Sequence, residues 1–233
     1  IAGFQKCGTT SLYNYLMSLD VFVPGKSKEN NHLCIPNYSL GKYISSFPSK
    51  VFHYNKKTGE GSHQIGFVPL GVERLKKHFP NAKIIFIMRD PVERAISRYF
   101  HNQQKRNAIS DKKFPYSFEE MVEVEIEILD KMDDIYDVNK LYEVATIFTP
   151  YGSPVSRGIY YPFIKNFLDL GFSCHFLCIE DLQSSFESEF TKVLNFLEVE
   201  CSLFPSPEVF NSTQRNDFEL LKSTENQLKN FYK

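Results

Sequence analysis

Long apolar runs and tryptophan are both missing from this sequence. The chain of 233 residues contains no Trp, and no stretch reaches the roughly 18 apolar residues of a membrane-spanning helix. The net charge is only −1, which argues against broad attraction to nucleic acids or to membrane surfaces. We therefore expect no nucleic-acid partner and no membrane contact by this segment. The hydrophobic content of 42% suffices for one sizeable core, as in a single α/β domain.

Cysteine is also scarce. The five cysteines show no close pairing along the chain: Cys7, Cys34, Cys174, Cys178 and Cys201. This spacing indicates neither a metal site nor a dense disulfide framework, and we expect no bound metal.

The first eleven residues predict a phosphate-binding loop between a strand and a helix. Gly3 and Gly8 are separated by four residues and are followed by Thr9 and Thr10. In such a loop, backbone N–H groups and a helix N-terminus face an anion. Nucleotide triphosphatases have a Lys directly after the second glycine, whereas this chain has its Lys6 inside the loop. We therefore expect Lys6 to lie over the group that the loop binds.

A second phosphate-binding pattern follows the strand that residues 84–88 predict. Asp90 and Pro91 are typical of the N-cap and the first position of a helix. Arg89 then falls at the carboxyl end of a buried parallel strand, where open α/β sheets bind ligands. Ser97 follows two turns into the helix. A guanidinium with a hydroxyl nearby suits a second phosphate.

Together these two segments resemble the sulfotransferases that use 3′-phosphoadenosine 5′-phosphosulfate (PAPS), closest to their carbohydrate-modifying, heparan sulfate-type branch. GFQKCGTTSL is similar to the family's 5′-phosphosulfate loop. IIFIMRDPVERAISRY is similar to its 3′-phosphate motif, with Arg89 and Ser97 at the family's eight-residue separation. The likeness continues more weakly through residues 156–160 and 178–182. It implies one sulfotransferase domain over residues 1–233, with a three-layer P-loop-like α/β fold and a central, mostly parallel β-sheet flanked by helices.

The resemblance implies a donor site for PAPS. Lys6 would bind the oxygen that bridges phosphate and sulfate, as a catalytic cation. The family's Lys-Gly-Arg-like loop, which closes on the 3′-phosphate and adenine, is not present, and Arg215 is its nearest substitute. The positions predicted to contact PAPS are Lys6, Cys7, Gly8, Thr9, Thr10, Ser11, Arg89, Ser97, Tyr160 and Arg215.

The acceptor side matches the family less closely. Glu29 lies in a segment that resembles Lys-Glu-x-His-Phe-Phe, in which the Glu or a neighbouring His deprotonates the acceptor. Two residues rather than one separate Glu29 from His32 here. Residues 59–63 resemble the family's Glu-Lys-Ser/Thr-Pro segment, but Gly61 replaces its Lys and His63 its Pro. A substrate-side cation is therefore missing. The resemblance implies that Glu29 is the catalytic base, with His32 or His63 as alternatives.

The predicted reaction is in-line transfer of the sulfuryl group from PAPS to an acceptor hydroxyl or amine, with a glycan favoured and no metal required. A small-molecule alcohol is a further possible acceptor. Two other functions stay open: a P-loop kinase with a degenerate loop, and a non-catalytic relative that binds nucleotide or glycan. The sequence begins inside its first predicted strand, so its compartment is not predicted. We expect the Golgi lumen if an anchor lies upstream, and the cytoplasm otherwise. The oligomeric state is not predicted.

Four further expectations concern local structure. Residues 118–132 predict an amphipathic helix whose carboxylates, Glu125 among them, face solvent. Arg94 is expected on a solvated or ion-paired helix face. Residues 174–179 predict a second buried strand, and residues 133–150 an irregular segment.

Overall fold

The chain combines ten α-helices with two short strands in the residues that the structure describes. The computed structural model describes residues 1–109, 115–149, 152–200, 204–207 and 220–233, without the side chains of residues 107–109. Within these ranges, no helix has both the length and the apolarity needed to cross a bilayer. In chain order the elements are α1 (Thr9–Met17), a first 3₁₀ turn (Asn31–Cys34), α2 (Leu40–Ile44), α3 (Pro69–His78), β1 (Lys83–Met88), α4 (Pro91–Ile109), α5 (Phe118–Asp130), α6 (Val138–Val144), a second 3₁₀ turn (Ser156–Gly158), α7 (Tyr160–Asp169), β2 (Ser173–Cys178), α8 (Ile179–Ser184), α9 (Phe186–Leu197) and α10 (Lys222–Phe231).

The chain divides into two compact units. The first consists of Ile1–Met88 with Ile164–Asn211, and the second of Arg89–Phe163 with Ser212–Lys233. The predicted 5′ loop and all three candidate bases therefore belong to the first unit, and Arg89 begins the second.

A parallel sheet lies in the first unit. β1 pairs with β2 in register along its whole length, and residues 2–4 pair with β1 through the bridge between Gly3 and Phe86. Residues 84–87 are buried, which explains the uninterrupted apolar sequence of β1. Parallel strands cannot be joined by a tight turn, so helices connect them along the chain. This is the α/β architecture that the sequence predicts.

β2 is not the buried strand that was predicted. Leu177 is buried, but Phe176 is 41% exposed and Ser173 is exposed as well. Among the described residues β2 has β1 as its one strand partner and is an edge strand. The side chains at 174, 176 and 178, on one of its faces, are all partly or largely exposed. Cys174 and Cys178 lie on this face, and both are partly exposed.

Aromatic side chains form the core next to the sheet. The Phe86 ring lies 5.6 Å from the Phe4 ring and 5.1 Å from the Phe167 ring, measured between centroids. Phe67 meets Phe4 at 5.5 Å, and all four rings are almost completely buried. Rings of this kind bury about 150–250 Å² each and dominate core energetics. They hold the start of the chain against β1, and so fix where the loop after Phe4 begins.

A buried polar network stabilises the second unit. Glu125 of α5 is fully buried, contrary to the solvated face that was predicted. It accepts hydrogen bonds from the Val155 N–H (2.6 Å), the Ser156 N–H (3.2 Å) and the Ser156 hydroxyl (2.5 Å). Arg94 of α4, also expected near solvent, is fully buried and donates to the Pro154 carbonyl. Burial raises the pKa of Glu125 to about 7, although its donors oppose the shift.

Residues 133–150, predicted to be irregular, contain α6. Asp137 caps this helix by accepting from the N–H groups of Asn139 and Lys140. Leu141 and Val144 are its buried side chains. A helix of seven residues is too short to show a clear apolar period in the sequence. The capping residue Asp137 is therefore the stronger sequence signal for α6.

Candidate functional site

The predicted phosphate loop lies at the carboxyl end of β1. The Phe4 N–H donates to the Ile87 carbonyl at 2.7 Å, and the chain then turns through Gly8 into α1. Gly8 has a φ of 89°, which glycine adopts readily and other residues avoid. A Cβ at this position would lie 2.5 Å from Ile179 Cδ1 and 3.5 Å from Ile87 Cδ1. Glycine therefore lets the start of α1 approach the ends of both strands.

α1 begins without a side-chain cap. Gly8 occupies the N-cap position and has no side chain to accept from the first-turn N–H groups. The amides of Thr9, Thr10 and Ser11, with the positive end of the helix dipole, form a donor set suited to an anion. Lys6 lies in the preceding turn with a φ of 67° and is partly exposed. The loop therefore has the local geometry of an anion site, with a cation in the turn itself.

Two residues that were predicted to contact PAPS, Cys7 and Arg215, are not part of this set of N–H donors. Cys7 is fully buried, its thiol donates to the Gln5 carbonyl at 3.7 Å, and its N–H donates to the Phe4 carbonyl at 3.2 Å. Both hydrogen bonds of Cys7 therefore stabilise the loop itself. Arg215, predicted to replace the Lys-Gly-Arg loop, lies outside the described residues.

Arg89 is held at the entry to α4 in the second unit. Asp90 caps α4 by accepting from the Glu93 N–H at 2.9 Å, and the Glu93 carboxylate accepts from Arg89 Nη2 at 3.0 Å. The Tyr160 hydroxyl donates to the Arg89 carbonyl at 2.9 Å. Ser97 is buried two turns along α4. Tyr160, predicted as a direct PAPS contact, therefore holds the backbone of Arg89.

The two acceptor-side segments, residues 28–31 and 60–63, bind each other and are called the paired segments below. A Cβ at Gly61 would lie 3.3 Å from Lys28 Cγ, so the absence of the family's Lys at 61 leaves room for the Lys28 side chain. This use of Lys28 was not predicted from the sequence, although the neighbouring Glu29 was already a candidate base. Besides the contact between Glu29 and His63 described next, four hydrogen bonds join the segments: Gly61 N–H to Lys28 O (2.8 Å), Lys28 Nζ to Gly61 O (2.9 Å), Asn30 N–H to Glu60 Oε2 (3.1 Å) and Ser62 Oγ to Asn31 Oδ1 (2.7 Å).

The paired segments bring two of the three candidate bases into contact. Glu29 Oε1 lies 3.4 Å from His63 Nδ1 and 3.1 Å from Lys28 Nζ. Burial raises the pKa of Glu29, but the hydrogen bond to His63 and the charge of Lys28 outweigh it and lower the pKa to about 2. Glu29 is therefore ionised at neutral pH. His32 lies in the first 3₁₀ turn, and the hydrogen bond described for it runs from its backbone N–H to Asn30 Oδ1 at 3.3 Å.

The first unit thus contains two chemically distinct parts, a loop with the local geometry of an anion site and an ionised carboxylate paired with an imidazole. Within the described ranges, no three His, Cys, Asp or Glu side chains form a group that could hold a metal ion. The positive charge and the N–H donors described here are supplied by lysine, arginine and backbone amides.

These features agree with the family that the chain matches. The family model described as sulfotransferase domain matches residues 1–232, and the chain belongs to this family. The membrane-associated sulfotransferase kil1 of Dictyostelium discoideum is 28% identical over 134 residues, which are 56% of this chain and 28% of that protein. The chain therefore spans only a small part of the length of this relative.

A solved structure has the same fold. The crystal structure of a sulfotransferase from Alicyclobacillus acidocaldarius superposes with a TM-score of 0.68, covering 100% of this chain and 89% of that chain at 22% identity. At this identity the likeness concerns the fold alone. The predicted family and its P-loop-like α/β fold are confirmed. The carbohydrate-modifying branch is not identified by these relatives.

Proposed function

We propose that this chain transfers the sulfuryl group of PAPS to an acceptor hydroxyl or amine. The observation that carries the proposal is the uncapped N-terminus of α1, which Gly8 holds at the end of the parallel sheet, with Lys6 in the preceding turn. An anion fits there because the N–H donors of the first helical turn are present. A Cβ at Gly8 would collide with Ile179 and prevent the close packing of this turn. Membership of the family supports PAPS as the donor, since PAPS is general among its members.

Each group in the donor site has a defined task. PAPS, when bound, supplies an activated sulfuryl group on a phosphate leaving group. The first-turn amides of α1 bind the anionic oxygens, and the Lys6 ammonium stabilises the charge that develops on the leaving phosphate. Arg89 and Ser97 bind the 3′-phosphate, for which a guanidinium fork is well suited. Because Arg89 is already paired with Glu93, the phosphate meets a guanidinium that is held in place.

His63 is proposed as the proton acceptor, and Glu29 as the residue that orients it. With a pKa of about 2, the Glu29 carboxylate is a weak base for a hydroxyl. An ordinary imidazole titrates near ~6.5 and suits general-base catalysis at neutral pH. When Glu29 accepts the proton on Nδ1, the lone pair of His63 lies on Nε2. This differs from the sequence-based expectation, in which Glu29 came first.

A glycan hydroxyl is the acceptor favoured by the resemblance to the carbohydrate branch, with a small-molecule alcohol as the alternative. Lys28 is the cation next to the candidate base, and its charge is matched by Glu29 at 3.1 Å. This pairing leaves little excess positive charge around Glu29, so we propose an acceptor that is not densely anionic.

Nucleotide binding tests the donor assignment. We expect 3′-phosphoadenosine 5′-phosphate (PAP) to bind far more tightly than 5′-AMP in calorimetry. Arg89→Ala should weaken PAP binding by about 2–4 kcal/mol, as for the loss of a charge-assisted pair, and should leave 5′-AMP binding unchanged. Lys77→Ala, at an exposed position on α3, serves as the control. Equal affinities for PAP and 5′-AMP would refute the role of Arg89.

The pH dependence of kcat tests the base. A His63 base must be deprotonated, so kcat should rise with pH through an inflection and level off above it. His63→Ala should lower kcat by about 10²–10⁴-fold and remove the inflection. Glu29→Gln should lower kcat less and keep an inflection, and His32→Ala should change little. If Glu29→Gln is the most damaging variant, Glu29 itself is the base.

Two controls separate the other functions. A P-loop kinase requires Mg²⁺, so loss of turnover in EDTA with recovery in Mg²⁺ would support that function instead. A non-catalytic relative would bind PAP tightly yet show no sulfated product with PAPS and a panel of glycan and alcohol acceptors.

A further inference from the structure

The loop of residues 49–55 carries the most exposed large apolar side chains in the described part of the chain. Val51, Phe52 and Tyr54 are 83%, 83% and 80% exposed. Single exposed apolar residues are common on protein surfaces, whereas a cluster marks an interaction site. These three side chains fall within four consecutive positions. They are called the apolar tip below.

The apolar tip stands on an anchored stem. The Phe52 N–H donates to the Ser49 carbonyl at 3.2 Å and closes a turn under the tip. At the base of the loop, the Lys57 N–H donates to the Val21 carbonyl at 2.8 Å, and the Val23 N–H donates to the Lys57 carbonyl at 2.9 Å. Backbone hydrogen bonds therefore hold both the turn and its base.

Positive charge accompanies the tip. Between Glu29 and Glu60 the sequence contains no Asp or Glu. The same stretch contains four lysines, of which Lys56 is paired with Asp20: Lys42, Lys50, Lys56 and Lys57. The net charge of −1 for the whole chain conceals this local excess.

We propose that the apolar tip is a contact site for an anionic membrane surface. Phe52 and Val51 enter the boundary between headgroups and acyl chains, Tyr54 lies at the level of the headgroups, and Lys50 meets their negative charge. A glycan would use aromatic ring faces, but Val51 has none, and its exposure fits a lipid surface better. This contact goes beyond the proposed reaction. It also departs from the expectation of no membrane contact, which was based on the summed charge and on the absence of long apolar runs.

Vesicle co-sedimentation of the chain tests the proposal. We expect binding to phosphatidylcholine vesicles that contain phosphatidylserine, and weaker binding to phosphatidylcholine alone. Phe52→Ser with Tyr54→Ser should lower the partition coefficient on both vesicle types by about tenfold or more, since apolar burial is lost. Leu70→Ser, which removes an exposed apolar side chain from α3, is the matched control and should bind as the wild type does.

The contribution of positive charge to vesicle binding is tested separately. Lys50→Gln should lower binding to phosphatidylserine vesicles by about fivefold and leave binding to phosphatidylcholine unchanged. Lys77→Gln on α3 is the control, and added salt should act as Lys50→Gln does. Unchanged melting temperatures would show that the variants are folded.

Three results would overturn the proposal. The first is a wild type that stays in the supernatant with both vesicle types. The second is a Phe52→Ser, Tyr54→Ser variant that sediments as the wild type does. The third is binding of the tip to a soluble anionic polysaccharide with none to vesicles, which would assign it to a glycan instead. PAP binding by calorimetry is a separate measurement, so failure here leaves the proposed function untouched.

Discussion

Replacing Gly8 by alanine is the most direct test of how the donor loop is built. At a φ of 89° an alanine is strained, because its Cβ crowds the backbone. Left-handed conformations cost L-residues about 1–2 kcal/mol. The new Cβ would also lie 2.5 Å from Ile179 Cδ1. That methyl is the end of a flexible side chain, and moving it off its rotamer costs a further ~0.5–1.5 kcal/mol. We therefore expect Gly8→Ala to lower the free energy of unfolding by about 2–3 kcal/mol.

The two contributions can be measured separately. Ile179→Val removes the Cδ1 methyl, so Gly8→Ala made in that background should keep the strain of the backbone and lose its closest contact, while Cγ1 remains at 3.2 Å. The remaining cost should then be about 1–2 kcal/mol, and the difference between the two backgrounds is the contact term.

Urea unfolding with PAP calorimetry completes the test. Gly59→Ala is the matched control, since nothing lies within 4 Å of a Cβ at that position. Its midpoint should stay close to that of the wild type. Gly8→Ala should also weaken PAP binding, because the first turn of α1 must move to accept the new side chain. A Gly8→Ala protein as stable as Gly59→Ala would refute the packing described for the loop.

Two further predictions concern single charged groups. Lys6→Ala should lower kcat far more than it weakens PAP binding, because its charge acts mainly on the leaving phosphate; equal losses in both would contradict this. The folded-state pKa of Glu125, raised from 4.5 to about 7, means that its stabilising contribution is present at low pH and is lost as pH rises through this range. Relative to Glu125→Gln, the wild type should therefore lose on the order of 3 kcal/mol of unfolding free energy as the pH rises from 4.5 to about 7. Urea titration at several pH values measures this loss. Glu123→Gln, at an exposed position on the same helix, should show no such pH dependence.

The elements that the sequence predicted well are those whose signal is local. The apolar run at 84–88 lies within β1, and the Asp-Pro start of α4 is present as predicted. The glycine spacing of the first loop placed Gly8 at the start of α1. In each case the residues that carry the pattern are also the residues that make the local contacts.

What the sequence could not supply depends on partners distant along the chain. The helical period correctly placed an amphipathic helix over α5, but it could not show that Glu125 reaches the backbone at residues 155–156. β2 was expected to be buried because its composition is apolar, yet its burial depends on which parts of the chain pack against its two faces. The contact between Glu29 and His63 joins positions 34 residues apart, and no spacing rule links them.

The paired segments also bear on how this protein can vary or be redesigned. Their hydrogen bonds bring residues 28–31 and 60–63 together, so the chain between them leaves and returns at nearly the same place. Residues 32–59 therefore form a segment closed at its own base. The segment also packs against the rest of the unit, because Leu33 is fully buried and Arg74 of α3 donates to the carbonyls of Leu33, Ile35 and Pro36. An exchange of residues 32–59 with those of a relative should alter what the loop of residues 49–55 contacts, while Glu29 and His63 keep their separation. A transplanted segment would therefore have to keep Leu33 and the carbonyls that Arg74 binds, as well as the hydrogen bonds that close its base.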